Sequence, residues 1–489
     1  MQTLSGTLTG SGVFFLSLAL TLALAFEFVN GFHDTANAVA TVIYTRTLKA
    51  NVAVFWSGIW NLIGVLTSDG AVAFGVVALL PVELVLNVGT GAGFAMVFSL
   101  LLSSMVWNLG TWFLGLPASS SHTLIGSIIG VGLANSLLSK GHIFGEGVNW
   151  SKAEEVGASL LLSPIVGFCG AALLLLLTKI LVRRPELYKA PENDQPPPFW
   201  IRALLILTCT GVSFAHGSND GQKGMGLLML ILIGILPGAY AVNGNLDAKD
   251  FQEVAAVGRS LEPLIESRAS GTTVADPTNE LSEYLKTSGV TSARTFAALA
   301  SKNQALAEEL TKAPAVINHR TLRTDIYLVS ESLAKLAKTG YASAPGERER
   351  FESYTKRLSS LVNYIPGWVK VLVAITLGLG TMIGWKRIVV TVGEKIGKDH
   401  LSYAQGASAE LVAMVTIIAA DGFGVPVSTT HVLSSGVAGA MAANSSGLQM
   451  QTVRNLLLAW VLTLPVCVLL GASMFAASLY VFLHVVGLG

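Results

Sequence analysis

Apolar residues run along this chain in ten segments, and one long charged block interrupts them. The segments cover about Gly12 to Tyr44, Val52 to Leu80 (ending at Pro81), Ala92 to Leu116, His122 to Leu138 and Val156 to Val182, then Trp200 to Tyr240, Pro366 to Ile383, Ser402 to Gly424, Val432 to Ala443 and Leu456 to Phe482. Many approach the roughly 20 apolar residues that carry an α-helix across a bilayer. A transmembrane β-barrel would show short alternating stretches instead. The pattern predicts an all-α polytopic membrane protein with about ten spans. The first segment is too long for one plain span and is interrupted at Asn30-Gly31, so a broken or strongly tilted helix is expected. Trp200 to Tyr240 repeats that interruption. The run from Val13 to Val29 lacks a basic leading region and continues into a polar motif. It reads as a retained helix, not a signal peptide.

The breaks in this pattern divide the chain. Residues 1–184 read as a first membrane half and 185–199 as a proline-rich linker. Residues 200–240 open the second half, and 364–489 complete it. Between them, 241–363 carry charges of mixed sign with helical periodicity, as from Ser301 to Leu310 and Tyr327 to Ala337. This block reads as a soluble helical insertion. Arg46, Lys49, Arg183, Arg184, Lys386, Arg387, Lys395 and Lys398 follow apolar segments and mark cytoplasmic ends. Both termini and the insertion then fall outside. Counting two spans between Trp200 and Tyr240 would place the insertion inside, and its charges do not decide, because long loops translocate largely regardless of charge.

Two motif pairs recur. Asn30-Gly31-Phe32-His33-Asp34-Thr35-Ala36-Asn37-Ala38 is matched by His216-Gly217-Ser218-Asn219-Asp220-Gly221-Gln222-Lys223-Gly224. Pro117-Ala118-Ser119-Ser120-Ser121-His122-Thr123 is matched by Pro426-Val427-Ser428-Thr429-Thr430-His431-Val432. The first pair is offset by 186 positions and the second by 309. The difference is close to the length of the insertion, so the halves share one order of elements. Five spans per half is odd, which predicts two inverted-topology repeats, an architecture of secondary transporters. The Ser/Thr-rich motifs read as paired hairpins dipping into the membrane where they line a cavity.

Composition narrows the picture. Half the residues are hydrophobic, 12% are charged, and mean hydropathy is +0.61, too high for a soluble protein of this size. The net charge of +1 gives no reason to expect nucleic acid. Cys169, Cys209 and Cys467 all lie in apolar runs, with no metal or redox spacing and no disulfide framework.

A carboxylate inside a span costs at least about 2.5–3.5 kcal/mol, so Asp34 and Asp220 need partners or a function. Two acids at equivalent repeat positions favour coordination of a coupling cation or carriage of a proton over a structural hydrogen bond. Their neighbouring glycines allow close backbone approach and local unwinding. The hydroxyls of Ser119, Ser120, Ser121, Ser428, Thr429 and Thr430 each follow a proline and precede a helix. That is an N-cap arrangement at the positive end of a helix dipole, ready for an anion. Donors beside acids imply an oxyanion moving together with cations or protons. Phosphate can donate a hydrogen bond to a carboxylate and sulfate at neutral pH cannot, which favours phosphate. His122, His431 and His216 are candidate pathway residues. Glu27, Asp69, Glu410 and Asp421 are weaker candidates, as apt to be structural.

These motifs, with Gly380-Thr381-Met382-Ile383-Gly384-Trp385-Lys386, resemble the inorganic phosphate transporter (PiT) family, and most closely its bacterial low-affinity branch. The resemblance covers both membrane halves. It implies phosphate uptake coupled to a cation gradient and, in that branch, proton coupling and transport of phosphate with a divalent metal as a neutral complex. The sodium-coupled pattern reads Gly-Ala-Asn-Asp-Val-Ala-Asn-Ala in each half. Here Asn37 keeps its last asparagine, but Lys223 takes that place in the second half and His33 precedes the first aspartate. A tethered ammonium where sodium would lie favours protons. Asp220 is expected to pair with Lys223, leaving Asp34, with His33 nearby, to titrate. Asn219 completes the coupling set.

The expectation is therefore a secondary transporter of phosphate in the bacterial inner membrane, driven by protons, without a cofactor. Its partners would be phosphate, the coupling cation, magnesium or another divalent metal, lipid, and optionally a second copy in a homodimer. Sulfate transport and sodium coupling are the near alternatives. A lipid-phosphate enzyme would need a nucleophile, a base and a charged clamp, and no arginine lies near the hairpins. A receptor would use the insertion as its ligand domain.

Overall fold

The computed structural model describes residues 2, 3, 6, 7, 10–80, 90–138, 144, 145, 148–191, 196–286, 291–312, 317–339 and 346–485, the side chains at 2–7, 11, 35–37, 151, 152 and 286 excepted. The expected boundary at Pro81, part of the linker and the Asn37 side chain lie outside the described residues. A two-residue ladder, β1 (Gln2–Thr3) with β2 (Gly6–Thr7), is followed by helices throughout. The first half holds α1 (Gly10–Tyr44), α2 (Ala50–Thr67), α3 (Ala71–Val77), α4 (Gly91–Phe113), α5 (Ser120–Leu138) and α6 (Trp150–Leu181). The second opens with α7 (Phe199–Ile235) and the short α8 (Pro237–Tyr240). The insertion contains α9 (Ala248–Ala269), α10 (Pro277–Lys286), α11 (Ala293–Glu309), α12 (His319–Lys338) and α13 (Glu347–Val362). The chain then continues through α14 (Gly367–Met382), α15 (Lys386–Val390), α16 (Tyr403–Gly422), α17 (Thr429–Ala443) and α18 (Met450–Tyr480).

Eight of these helices are long and apolar enough to cross a membrane. Two more of the expected segments form shorter helices, α14 with 16 residues and α17 with 15. The chain leaves the insertion through an 83° bend between α13 and α14, where Pro366 sits.

Two expectations need correction. Of the two forms expected, a broken or a strongly tilted helix, the break is absent: α1 and α7 run continuously through their polar motifs, at 35 and 37 residues. At 1.5 Å per residue each spans more than about 50 Å, against a hydrocarbon core of about 30 Å. An intact helix keeps its backbone groups bonded where water is scarce. The second segment, by contrast, is two helices. It breaks after Thr67, where Gly70 takes φ 94° and Asp69 Oδ1 accepts from Ala71 N at 2.9 Å.

Of the two uses expected of the glycines beside the acids, close backbone approach and local unwinding, the structure shows the first. A Cβ at Gly31 would lie 2.4 Å from Leu377 O, and one at Gly380 2.3 Å from Phe28 O, so α1 and α14 cross backbone to backbone. The equivalent crossing joins α7 to α2. There Gly217 would meet Asn61 O at 2.1 Å and Gly64 would meet Phe214 O at 2.2 Å. The packing is reciprocal elsewhere too, since α5 lies against α18 and α17 against α6. Small residues at such crossings allow the close approach that drives association in lipid. Gly217→Leu is expected to destabilise the protein by about 3 kcal/mol or more, through overpacking against backbone that cannot yield. Gly110→Ala is the control, because nothing lies within 4 Å of its Cβ position. Thermal midpoints in detergent compare the two; equal midpoints would remove the packing role.

Residues 241–362 supply a separate buried cluster that includes Leu261, Leu299, Ile326, Leu333, Phe351 and Tyr354. Its base is closed where the chain enters and leaves. Asn243 N donates to Leu361 O at 2.8 Å, and Arg323 donates to Ala241 O at 3.0 Å and Val362 O at 2.8 Å. Burial pushes the Arg323 guanidinium down to about 10, which still leaves it charged at neutral pH.

Candidate functional site

The two Ser/Thr motifs start helices in the same way. Ser119 Oγ accepts from His122 N at 3.3 Å, and Ser428 Oγ accepts from His431 N at 3.2 Å. Each is an N-cap hydroxyl satisfying one free amide of the first turn. The two caps meet. Ser121 Oγ donates to Val427 O at 3.0 Å, and the rings of His122 and His431 lie 4.6 Å apart. His431 stacks on Trp460 at 4.2 Å, and Trp460 Nε1 donates to Pro117 O at 2.9 Å. Thr429 is buried at the first position of α17.

Asp34 lies under this junction. Ser120 Oγ, from α5, donates to its Oδ2 at 2.7 Å, and Thr430 Oγ1, from α17, donates to its Oδ1. One carboxylate thus holds one hydroxyl from each hairpin. His33 Nδ1 lies 3.4 Å from Asp34 Oδ1, and its Nε2 lies 3.1 Å from Thr111 Oγ1 of α4.

Asp220 has different neighbours. Lys223 Nζ lies 2.9 Å from its Oδ1, one turn along α7, and His216 Nε2 lies 3.4 Å from its Oδ2. Both Asp220 and Lys223 are only 1% exposed in their side chains. His216 Nδ1 lies 2.5 Å from Asn61 Oδ1. Ligand atoms of Asp34, His216 and Asp220 lie within 4.8 Å of one another, so one cation could reach all three. The two acids, 186 residues apart in sequence, therefore share one buried place.

The remaining candidates separate. Asn219 braces the second hairpin, its Nδ2 donating to Val425 O and its Oδ1 accepting from Val427 N, both at 3.4 Å. Glu27 joins the two motif helices. Its Oε2 accepts from Asn30 Nδ2 at 3.1 Å and its Oε1 from Gly224 N at 2.8 Å. Asp421 accepts from Ser218 Oγ and from Gln222 Nε2, both at 2.6 Å. Glu410 accepts from Thr208 Oγ1 at 2.5 Å and ties α16 to α7. Asp69 sits at the exposed turn before α3. Thr111, Asn61, Asn108 and Trp460 were not singled out from sequence. The available signal was a polar side chain, or an amphipathic indole, inside an otherwise apolar helix.

Long crossing helices around two buried acids, met by two capped hairpins, define a polytopic helical membrane transporter. The phosphate transporter family PHO4 matches residues 30–471. The low-affinity inorganic phosphate transporter PitB of Escherichia coli K12 is 41% identical over 95% of this chain and 96% of its own length. PitA of the same organism is 42% identical over the same shares, and a Buchnera aphidicola low-affinity inorganic phosphate transporter is 40% identical. Among solved structures, one titled the sodium-dependent phosphate transporter shares the fold at a TM-score of 0.52 with 19% identity, covering 95% of this chain and 98% of that one. The chain belongs to the phosphate transporter family and is an integral membrane protein, a transporter and not an enzyme.

Proposed function

We propose that this protein imports inorganic phosphate across the bacterial inner membrane by proton symport, taking phosphate alone or as its neutral complex with magnesium or another divalent metal. The relatives named above as low-affinity inorganic phosphate transporters support the substrate. One observation carries the mechanism: the Asp34 carboxylate holds hydroxyls from both hairpins, Ser120 and Thr430. While ionised, Asp34 occupies these donors and repels an anion. A proton on Asp34 removes the charge and frees the hydroxyls, with the amides of both helix N-termini, to bind phosphate. Proton and phosphate then enter together because each makes room for the other. Lys223 supports protons over sodium, since its ammonium already neutralises Asp220 at 2.9 Å.

The reciprocal packing of α1 with α14 and α7 with α2 supports two inverted halves exchanging helices around the site. On that reading both termini and residues 241–363 face outside, with domain limits as set out from the sequence. The alternative is sodium coupling, favoured by the convergence of Asp34, His216 and Asp220. Radiolabelled phosphate uptake into proteoliposomes tests the reading, under an imposed pH or sodium gradient, with and without magnesium. Uptake should follow the pH gradient and collapse with a proton ionophore. Sodium-driven uptake would overturn the coupling, and no phosphate uptake under any gradient would overturn the substrate.

A further inference from the structure

Asn108 of α4 is 0% exposed, and both ends of its carboxamide, Oδ1 and Nδ2, lack a hydrogen-bond partner among the described residues. No other buried carboxamide among those residues has both ends open. A buried amide without partners is costly, so such a group calls for a ligand or a function.

Its neighbours show where it faces. Ser104, one turn before it, lies 3.4 Å from Thr123 O and 3.1 Å from Ser127 Oγ on the first hairpin helix. Thr111, one turn after it, lies 3.1 Å from the His33 ring. Positions 104, 108 and 111 share one helix face. Asn108 is therefore on the stripe of α4 between Ser104, which meets α5, and Thr111, which meets His33.

We infer that Asn108 is a specificity-determining residue that contacts the transported oxyanion. Its Nδ2 donates to an anionic oxygen, and its Oδ1 accepts from the P–OH of protonated phosphate. The hairpin amides donate and the hairpin hydroxyls can turn to donate, so any tetrahedral oxyanion satisfies them. The Asn108 carbonyl supplies an acceptor, which an oxyanion without a proton leaves unpaired. Phosphate and arsenate carry that proton at neutral pH and sulfate does not. The inference rests on the phosphate reading above and adds how the substrate is told from sulfate.

Competition measurements in proteoliposomes test it. The wild-type protein and the Asn108→Ala and Asn108→Ser variants take up labelled phosphate against unlabelled sulfate or arsenate. Asn108→Ala should raise the phosphate KM about tenfold. It should also lower the ratio of sulfate to phosphate inhibition constants about tenfold, because the unpaired acceptor no longer penalises sulfate. Arsenate should track phosphate in every variant, and Asn108→Ser should fall between. If Asn108→Ala is not recovered as monodisperse protein, Asn108→Ser decides alone. A variant with a lower thermal midpoint but wild-type KM and inhibition ratio would make Asn108 a structural residue and overturn the inference. Failure of the wild type to transport phosphate would instead strike the substrate assignment, so the two failures are distinguishable.

Discussion

Replacing Asp34 with asparagine is expected to reduce uptake driven by a pH gradient by about a hundredfold or more. The carboxylate accepts two hydrogen bonds, from Ser120 and from Thr430, and these come from two separate helices. Hydrogen bonds to a charged group contribute about 1.5–3 kcal/mol each, so their release on protonation is worth about 3 kcal/mol or more, roughly a hundredfold that a group unable to titrate forfeits. Asparagine keeps the size and can still bond both hydroxyls, because each can turn to donate or accept. The fold should therefore survive, with a thermal midpoint in detergent close to that of the wild type. What asparagine cannot do is gain and lose a proton, so the switch that frees the hairpin donors is gone. Uptake per molecule of reconstituted protein is the readout. An Asp34→Asn protein retaining half of the wild-type rate would show that the proton is carried elsewhere, with the Asp220 cluster next in line.

Lys223→Asn should move the cation dependence from protons towards sodium. The Lys223 ammonium and the Asp220 carboxylate are 2.9 Å apart, each 1% exposed. Removing one member of a buried pair leaves an uncompensated charge and costs about 3–5 kcal/mol. Asparagine vacates the volume beside Asp220, offers a carbonyl oxygen and restores the residue type of the sodium-coupled pattern at that place. Sodium is then the available neutralising charge. Two outcomes are expected together: a sodium gradient drives phosphate uptake in the variant, and sodium chloride, compared with choline chloride, raises the variant's thermal midpoint. The wild type should show neither. Lys223→Met opens similar space without an oxygen ligand and should be destabilised with little rescue by sodium. A Lys223→Asn protein indifferent to sodium in both measurements would refute the view that the lysine occupies a cation's place.

Much of this protein was legible before any coordinates, for reasons specific to lipid. All ten apolar segments fall on helices, because an unpaired backbone amide in hydrocarbon leaves helix as nearly the only solution for a long apolar run. The Ser119 and Ser428 caps were legible for a similarly local reason. Proline followed by a hydroxyl residue directs one helix start, and that chemistry needs only the next three residues. The pairing of Lys223 with Asp220 was accessible because positions three apart on a helix are neighbours.

What sequence could not decide was the use of residues whose partners lie on other helices. From sequence the glycines of the acid motifs allowed both close backbone approach and local unwinding, and the structure uses Gly31 and Gly217 for backbone contact with α14 and α2. A glycine in an apolar run serves either purpose, and only the neighbouring helix distinguishes them. The break at Gly70 was missed although Thr67-Ser68-Asp69 precede it, because the runs beyond them on both sides are apolar. Asn61 and Thr111 are isolated polar residues in apolar runs, and only helix packing brings them beside His216 and His33. The sequence by itself determined the membrane class, the helices, the caps and the paired motifs, since these follow from solvent and from local spacing. The tertiary structure alone decided that both hairpins close on Asp34 and that Asp34 and Asp220 share one buried place. A charge in a dry interior is defined by the groups that surround it, and here they come from helices hundreds of residues apart.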